Sequence, residues 1–474
     1  MFIRTLKRQS IIMRVQLVRY QDLANINTRL AQSLNKHQGV LPPLGIAYIA
    51  SSLEKANHDV DIIDAIALKM SRDQVRRRIR EFHPDVVGIT AMTPTFPGAK
   101  EAAWLAKQEG AITVMGGVHM AIFAEETLSY DYVDFGVIGE AEETIVELCA
   151  AIENKQPFEP IKGLAFKKDG KIIAGRPRII EDLDSLPMPA YHLLPMDKYS
   201  SIIGLHPVST MMASRGCPYR CGFCYKTPSD VKHRYRNYAQ VADEMEFLIK
   251  NYRVKEIMFY DDLMMPQFVE NLCNEILKRK LKIAWQSPQR VNLVTFPLLK
   301  LMKKAGCRML RYGIEQGDPE MMRLIEKNIT LQGAKDALRW THQAGIETFT
   351  YYIIGYPGEN ERTVRATINL AKELDSRYAM FTKAVPLPGT KLMESAAGKG
   401  LVEQDYWRKF ILGQNVKPLP DFIPGTEKWV ERAYKEFYLR PAKIIKQIAS
   451  IRGWEDIKKS IAGFMGLVNF KMRE

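Results

Sequence analysis

Three cysteines stand within eight residues in Ser214-Arg215-Gly216-Cys217-Pro218-Tyr219-Arg220-Cys221-Gly222-Phe223-Cys224-Tyr225, spaced Cys-x3-Cys-x2-Cys. Neither a helical nor a strand register explains three thiols so close together. Thiolates are soft anionic ligands suited to iron–sulfur clusters or zinc. A structural zinc site takes four ligands, and the nearby histidines, His206 and His233, lie outside the triplet. Three cysteines on a four-iron cluster leave one iron open for a substrate to coordinate. Cys217, Cys221 and Cys224 are therefore candidate ligands of a [4Fe–4S] cluster, with zinc as the alternative. Cys149, Cys273 and Cys307 fall on predicted helices or just after one and read as buried thiols.

A strand must carry the triplet, and others must surround it. Ser209–Ala213 runs into the cysteine loop; further strands read at Glu256–Tyr260, Ile283–Trp285, Leu310–Ile314, Phe349–Ile354 and Ala379–Val385. Helices fall between them at Ala239–Lys250, Val269–Lys280, Pro297–Lys304, Leu331–Ala344 and Glu361–Glu373. Six β/α units make a partial barrel, in which chemistry gathers at the C-terminal ends of the strands. Those ends carry polar groups: Asp261-Asp262 after the second strand, Arg290 after the third, Glu315 at the end of the fourth, Gly355-Tyr356-Pro357-Gly358-Glu359 after the fifth and Pro386-Leu387-Pro388-Gly389-Thr390 after the sixth. Each alone reads as a cap or turn; five in register behind a cysteine triplet are more specific.

The triplet resembles the signature of the radical S-adenosylmethionine (SAM) superfamily, with Phe223 where that family places an aromatic residue. The resemblance implies that SAM chelates the open iron and that one electron from the cluster breaks its sulfonium C–S bond, giving a deoxyadenosyl radical. It also implies roles at the strand ends. Asp261 and Asp262 would contact the SAM amino group, Arg290 would pair with its carboxylate, and Glu315 would accept from its amino or ribose groups. Gly355 and Pro357 would lie beside its adenine. Gln316 departs from the family, which usually has serine there.

The N-terminal third alternates strand and helix. Val15–Tyr20, Val60–Ile63, Val86–Thr90, Ile112–Met115 and Phe135–Ile138 are short apolar runs, with helical stretches at Gly45–Ala56, Arg72–Phe82, Ala99–Lys107, Glu125–Ser129 and Glu142–Ile152. This pattern implies a doubly wound parallel sheet with ligands beyond the strands' carboxyl ends. Thr90-Ala91-Met92 and Gly116-Gly117 stand where the cobalamin-binding family has Ser-x-Leu and Gly-Gly, and Gly45 where its first motif has glycine. Val40 and Pro42 occupy the positions of that motif's Asp and His, and His37 is out of register. With Pro42-Pro43-Leu44-Gly45, Gly116-Gly117-Val118-His119 and Gly139-Glu140-Ala141-Glu142-Glu143, the segment resembles the N-terminal domain of cobalamin-dependent radical SAM enzymes. The resemblance implies cobalamin without a histidine as lower ligand, and contacts from Gly45, Thr90, Thr93, Gly116, Gly117, His119, Gly139 and Glu140. It further implies hydrogen abstraction from a substrate carbon followed by methyl transfer, or oxidative ring closure like that of the anaerobic magnesium-protoporphyrin ester cyclase; hopanoid methylases share the layout.

The expected class is α/β: a Rossmann-like cobalamin-type domain at 13–153, a linker with a hairpin around Asp169-Gly170 at 154–206, a partial (β/α)6 barrel at 207–400 and a helical tail at 401–474. The 474 residues are 46% hydrophobic and 26% charged, as in a globular protein. No apolar run reaches the roughly 20 residues of a membrane span. The basic first residues, 1–13, lack the apolar stretch of a secretory signal and read as a leader. The triplet, with no export signal, points to the cytoplasm. The net charge of +14 favours anionic partners without selecting one. A methylthiotransferase acting on tRNA would need a second cysteine triplet upstream, yet the first cysteine is Cys149; a nucleic-acid substrate is not expected. The intact triplet with Arg290 and Glu315 argues against a non-catalytic scaffold.

The tail offers Ile444, Ile445, Ile448 and Ile451 on one helix face, among Lys443, Lys446 and Arg452, and a second apolar group at Ile461, Phe464, Met465, Leu467 and Val468. It reads first as a cap on the barrel and second as a basic amphipathic helix on anionic lipid at the inner membrane surface. Trp429, Tyr434, Phe437 and Tyr438 are candidates to line a pocket for a flat or apolar molecule. The expected partners are a small-molecule or lipid-like substrate and a low-potential electron donor such as a flavodoxin or ferredoxin.

Overall fold

The computed structural model describes residues 12–21, 39–226 and 232–449. The leader, His37, Ile451, Arg452 and the apolar group at 461–468 lie outside the described residues. Internal contacts divide the chain into two units, Met1–Ala24 with Pro43–Ile180 and Ser185–Pro195, and Asn25–Pro42 with Glu181–Asp184 and Met196–Glu474.

The first unit contains β1 (Arg14–Arg19), α1 (Leu44–Lys55), β2 (Asp59–Asp64), α2 (Arg72–Phe82), β3 (Val86–Thr90), α3 (Phe96–Gln108), β4 (Ile112–Gly116), α4 (Met120–Leu128), β5 (Phe135–Val137), α5 (Glu142–Asn154), β6 (Leu164–Lys168) and β7 (Lys171–Ala174). The sheet order is β2-β1-β3-β4-β5-β6-β7, parallel from β2 through β5. Val15, Val18, Val86 and Val87 are fully buried, as strands covered on both faces require. Order reverses between β1 and β3, the switch point where doubly wound sheets leave a crevice. The hairpin read from Asp169-Gly170 is present, but it lies in this sheet rather than in a linker. β6 pairs antiparallel with β5, Phe135 opposite Phe166, and Phe158 packs edge-on between those two rings at 5.0 and 5.7 Å. The local sequence encodes a hairpin; the ladder to β5 and that aromatic contact hold it in this sheet.

The second unit is built on a six-stranded sheet. Its elements are β8 (Val208–Met211), β9 (Ser214–Arg215), β10 (Arg234–Tyr235), α6 (Tyr238–Tyr252), β11 (Glu256–Phe259), α7 (Pro266–Lys278), β12 (Ala284–Gln289), α8 (Phe296–Lys304), β13 (Cys307–Glu315), α9 (Pro319–Leu324), α10 (Leu331–Gln343), β14 (Glu347–Ile354), α11 (Glu361–Leu374) and β15 (Tyr378–Lys383). β8, β11, β12, β13, β14 and β15 pair in that order, all parallel, forming a partial barrel. Short side chains start the helices sharply. Asp318, Thr330 and Asn360 each accept a backbone N–H of the helix that follows, removing orphan donors worth about 1 kcal/mol per cap.

Beyond the barrel come α12 (Lys391–Gly398), α13 (Tyr406–Ile411), α14 (Thr426–Tyr438) and α15 (Pro441–Ala449). α14 solves the edge-strand problem of β15, whose outer row of backbone groups has no strand beside it. The Tyr438 hydroxyl accepts the Ala379 N–H and donates to the Ala379 carbonyl, both at 2.9 Å, and the Tyr434 hydroxyl accepts the Phe381 N–H at 3.2 Å. α14 therefore packs on the barrel as expected, but along its edge strand, and the aromatic-pocket reading fails. Tyr434 and Phe437 are buried against Phe381, and Trp429 lies between the guanidinium groups of Arg365 and Arg432.

Candidate active site

The cysteine loop is clamped at its base and along its length. β9 and β10 form a two-residue antiparallel ribbon, Arg215 opposite Arg234 and Ser214 opposite Tyr235, which closes the loop that carries the triplet. Asp261 is buried, and its Oδ1 accepts the Ala213 N–H at 3.0 Å and the Ser214 hydroxyl at 2.6 Å. Asp262 accepts the Gly216 N–H at 3.2 Å. Further along, the Gly222 N–H donates to the Ile325 carbonyl and its carbonyl accepts the Leu392 N–H, both at 2.9 Å. Lys226 Nζ donates to the Cys217 carbonyl at 2.6 Å. A loop held at five points presents its thiols without a further ordering cost. The two carboxylates expected to contact a cofactor amine thus also build the stem of the loop.

Cations converge on the thiols. Arg290 Nη1 lies 3.8 Å from the Cys221 Sγ, and its guanidinium stacks 3.6 Å over the Tyr219 ring. Its other nitrogens donate to Asn292 Oδ1 and to the Lys327 carbonyl. Lys327 Nζ lies 2.6 Å from Glu315 Oε1, both side chains nearly buried, and 5.5 Å from the Phe223 ring centroid. Lys327 was not legible in the sequence: Lys327-Asn328-Ile329-Thr330 is an ordinary helix approach, and only folding brings it over Phe223. Cys224 is exposed, yet desolvation by the surrounding loop, then the neighbouring Cys221, raise its thiol, while Lys226 and Lys327 pull it the other way. Positive charge beside the loop is what a ligand that binds as thiolate requires.

Glu315 reaches this place through backbone strain. The β13–β14 register shifts between Gly313 and Glu315, and Glu315 is held at φ +69°, which costs a non-glycine residue on the order of 1 kcal/mol. Gly313 makes room for the ion pair, because a methyl group there would overlap both the Glu315 carboxylate and the Lys327 ammonium. Gln316 faces away from this cluster: Nε2 donates to the Ile353 carbonyl and Oε1 accepts from Thr367. After β14, Glu359 Oε2 accepts the Gly355 and Tyr356 N–H groups at 2.5 and 2.8 Å, fixing the turn that holds Gly355 and buried Pro357. Among the described residues two buried carboxylate oxygens have no hydrogen-bond partner, Asp261 Oδ2 and Glu359 Oε1. Desolvation pushes both carboxyl groups up to about 7. Two histidines considered as a fourth metal ligand are engaged elsewhere, His206 with the Ser201 carbonyl and His233 with the Leu263 carbonyl and the Tyr235 hydroxyl. Cys149, Cys273 and Cys307 are buried, as expected.

In the first unit the loops after β3 and β4 are joined, the Ala91 N–H donating to Gly116 and the His119 N–H to Ala91. Together they expose Thr90, Met92, Gly117 and Val118 at the carboxyl edge of the sheet. Gly117 has φ +95°, and a side chain there would strike the Ala91 carbonyl. Gly45 opens α1 with nothing within 4 Å of where a Cβ would stand. His119 and Thr93 do not face this surface. Thr93 Oγ1 and Thr127 Oγ1 lie 3.1 and 2.9 Å from the two ring nitrogens of His119, which is fully buried and stacked on Phe96 at 4.2 Å. Burial holds its imidazole down to about 3, neutral at any ordinary pH. The expected direct contact from His119 is therefore corrected to a structural one beneath the loop. Glu140 likewise is occupied, its Oε2 accepting the Ile180 N–H at 2.6 Å beside Gly139.

Comparison with known proteins identifies both domains. Residues 34–149 match the B12 binding domain family and residues 211–371 the radical SAM superfamily. The chain is 37% identical over 433 residues to uncharacterized methyltransferase PH0819 of Pyrococcus horikoshii, covering 90% of this chain and 93% of that one. The chain belongs to the cobalamin-binding radical SAM enzyme family. It is also 30% identical over 376 residues to the anaerobic magnesium-protoporphyrin IX monomethyl ester cyclase of Rubrivivax gelatinosus, covering 76% of this chain and 67% of that one. Its fold resembles that of the cobalamin-dependent SAM radical enzyme OxsB with aqua-cobalamin bound, at a TM-score of 0.71 and 15% identity, over 98% of this chain and 74% of that one.

For a cobalamin-binding radical SAM enzyme the residues present fit the three groups the family uses. The donor set is three thiols with an adjacent ring of cations. The orphaned oxygen of Asp261 lies in the strand-end loop where SAM's amino group is expected, and that of Glu359 in the loop expected beside its adenine. The exposed backbone and apolar tips at Met92 and Val118 suit a broad cofactor held without a protein nitrogen. When bound, the cluster held by Cys217, Cys221 and Cys224 would supply an electron to SAM, and cobalamin would carry a transferable group.

Proposed function

We propose that this enzyme transfers a methyl group to carbon in a small-molecule substrate, using Cys217, Cys221 and Cys224 as cluster ligands. The observation that carries this reading is the match to a protein named as a methyltransferase over nine-tenths of both chains, against two-thirds of the cyclase's length. In this reading Arg290 and Lys327 keep positive charge against the loop, Glu315 and Asp261 position SAM's amino end, and the turn fixed by Glu359 seats its adenine. The Thr90, Gly117 and Gly45 surface receives cobalamin, with Gly116 and Gly139 shaping the loops behind it. In this reading electrons come from a low-potential donor of the flavodoxin or ferredoxin type, and the enzyme works in the cytoplasm.

The test is product analysis on anaerobically reconstituted protein. A methyltransferase consumes SAM in two ways, giving S-adenosylhomocysteine when reduced cobalamin is supplied and 5′-deoxyadenosine when the cluster is reduced. Formation of 5′-deoxyadenosine alone, with cobalamin bound, would favour ring closure. A second property is suggested by α15, where Ile445 and Ile448 are 66% and 62% exposed beside Lys446. No helix among the described residues is long and apolar enough to cross a membrane, so contact with lipid would be peripheral. Co-sedimentation with anionic liposomes that is unchanged in Ile445→Ser/Ile448→Ser would dismiss it.

A further inference from the structure

Strand alternation on β13 turns Met309, Arg311 and Gly313 toward the inside of the partial barrel, opposite to Tyr312, whose hydroxyl meets Thr341 on α10. An arginine inside a barrel is costly unless something there uses it. Arg311 spans β12 to donate from Nη2 to the Phe259 carbonyl at the C-terminal end of β11. Its guanidinium carbon lies 5.6 Å from the Tyr260 ring centroid, and its charge acts on the neighbouring Tyr351 hydroxyl. These contacts hold the fork at the end of β11, two residues before Asp261, whose carboxylate anchors the stem of the cysteine loop. The guanidinium is thus at the reacting end of the barrel rather than at its floor.

Its charge is not answered. Among the described residues Arg311 makes no ion pair with a carboxylate, and its Nε is buried without a hydrogen-bond partner. By contrast Arg308, deeper on the same strand, is paired with both Glu256 and Glu347. A buried N–H left unpaired costs free energy that a hydrogen-bonding ligand would recover. A guanidinium with Nη2 held by a carbonyl and Nε unsatisfied still has donors to offer a carboxylate or phosphoryl group. Tyr260 is 57% exposed at the mouth, and Tyr351 stands 4.7 Å from Phe349, centroid to centroid, so the surroundings are aromatic.

We propose that Arg311 is a specificity-determining residue that binds an anionic oxygen group, carboxylate or phosphate, on the substrate and so sets which carbon faces SAM. This rests on the enzyme reading above but not on the fate of the methyl group.

The experiment is isothermal titration of the reconstituted holoenzyme, with SAM present, using acetate, inorganic phosphate and methylphosphonate as probes. One saturable site is expected for the carboxylate or for the phosphoryl probes, and the preferred arm identifies the substrate's group. Arg311→Met should weaken that site about ten-fold or more; Arg311→Lys, which keeps the charge without the fork, should weaken it less. Iron content and SAM affinity should be unchanged in both, because Arg311 touches neither the thiols nor the Arg290–Lys327–Glu315 group. Should Arg311→Met lose its cluster, Arg311→Lys and Tyr351→Phe carry the comparison. The proposal is overturned if no probe binds the wild-type holoenzyme, or if binding is the same in the variants. Product analysis for S-adenosylhomocysteine is independent of this titration, so failure of methyl transfer and failure of anion binding are separable.

Discussion

Asp261→Asn should change how stability depends on pH. Asp261 is fully enclosed at the stem of the cysteine loop, where burial raises its carboxyl from 3.8 to about 7, against the pull of the Ser214 hydroxyl and the Ala213 and Ser214 amides. A folded-state value above the unfolded one means that the native chain holds this proton more tightly. Its contribution to stability is full below about pH 4 and is lost as pH rises through 7. At about 1.4 kcal/mol per pKa unit, the two-state expression gives a loss of about 2.5 kcal/mol between pH 5 and pH 8. Asparagine keeps an oxygen for Ala213 and Ser214 but has no proton to lose. Urea denaturation of cluster-free protein at pH 5 and pH 8, wild type against variant, cancels the other titrating groups. The variant should gain about 2.5 kcal/mol on wild type across that interval. A difference that stays constant within about 0.5 kcal/mol would refute the account of Asp261 as a desolvated carboxyl.

Three further outcomes are expected. Alanine at Cys217, Cys221 or Cys224 should abolish cluster binding, read as iron per chain and the loss of the reduced-cluster paramagnetic signal. Gly313→Ala should displace the Glu315–Lys327 pair and weaken SAM binding about ten-fold, near 1.4 kcal/mol, with little change in iron content; unchanged SAM affinity would remove that pair from the cofactor site. Tyr438→Phe leaves the Ala379 N–H and carbonyl without their hydroxyl partner and should cost about 1–3 kcal/mol of stability, seen as a lower Tm, while SAM affinity holds.

Much of the fold was legible because strand and helix periods are local. The barrel strands and their helices fall within a few residues of the expected ranges; the main extensions are β13, which begins at Cys307, and β12, which runs on to Gln289 and delivers Arg290 directly. The cysteine triplet was legible for the same reason, since three ligands of one group are adjacent in the chain. What the sequence by itself determined is therefore the fold class, the metal-binding loop and the strand ends around it. What tertiary structure alone decided is which groups are free to act. It buried His119 between two threonines, turned Asp261 and Asp262 to the stem of the loop, laid Tyr434 and Tyr438 along a sheet edge, and brought Lys327 and Arg311 to the working end of the barrel. Burial, hydrogen-bond partners and counter-charges come from residues tens to hundreds of positions apart, and these, rather than residue type, set a side chain's charge and availability.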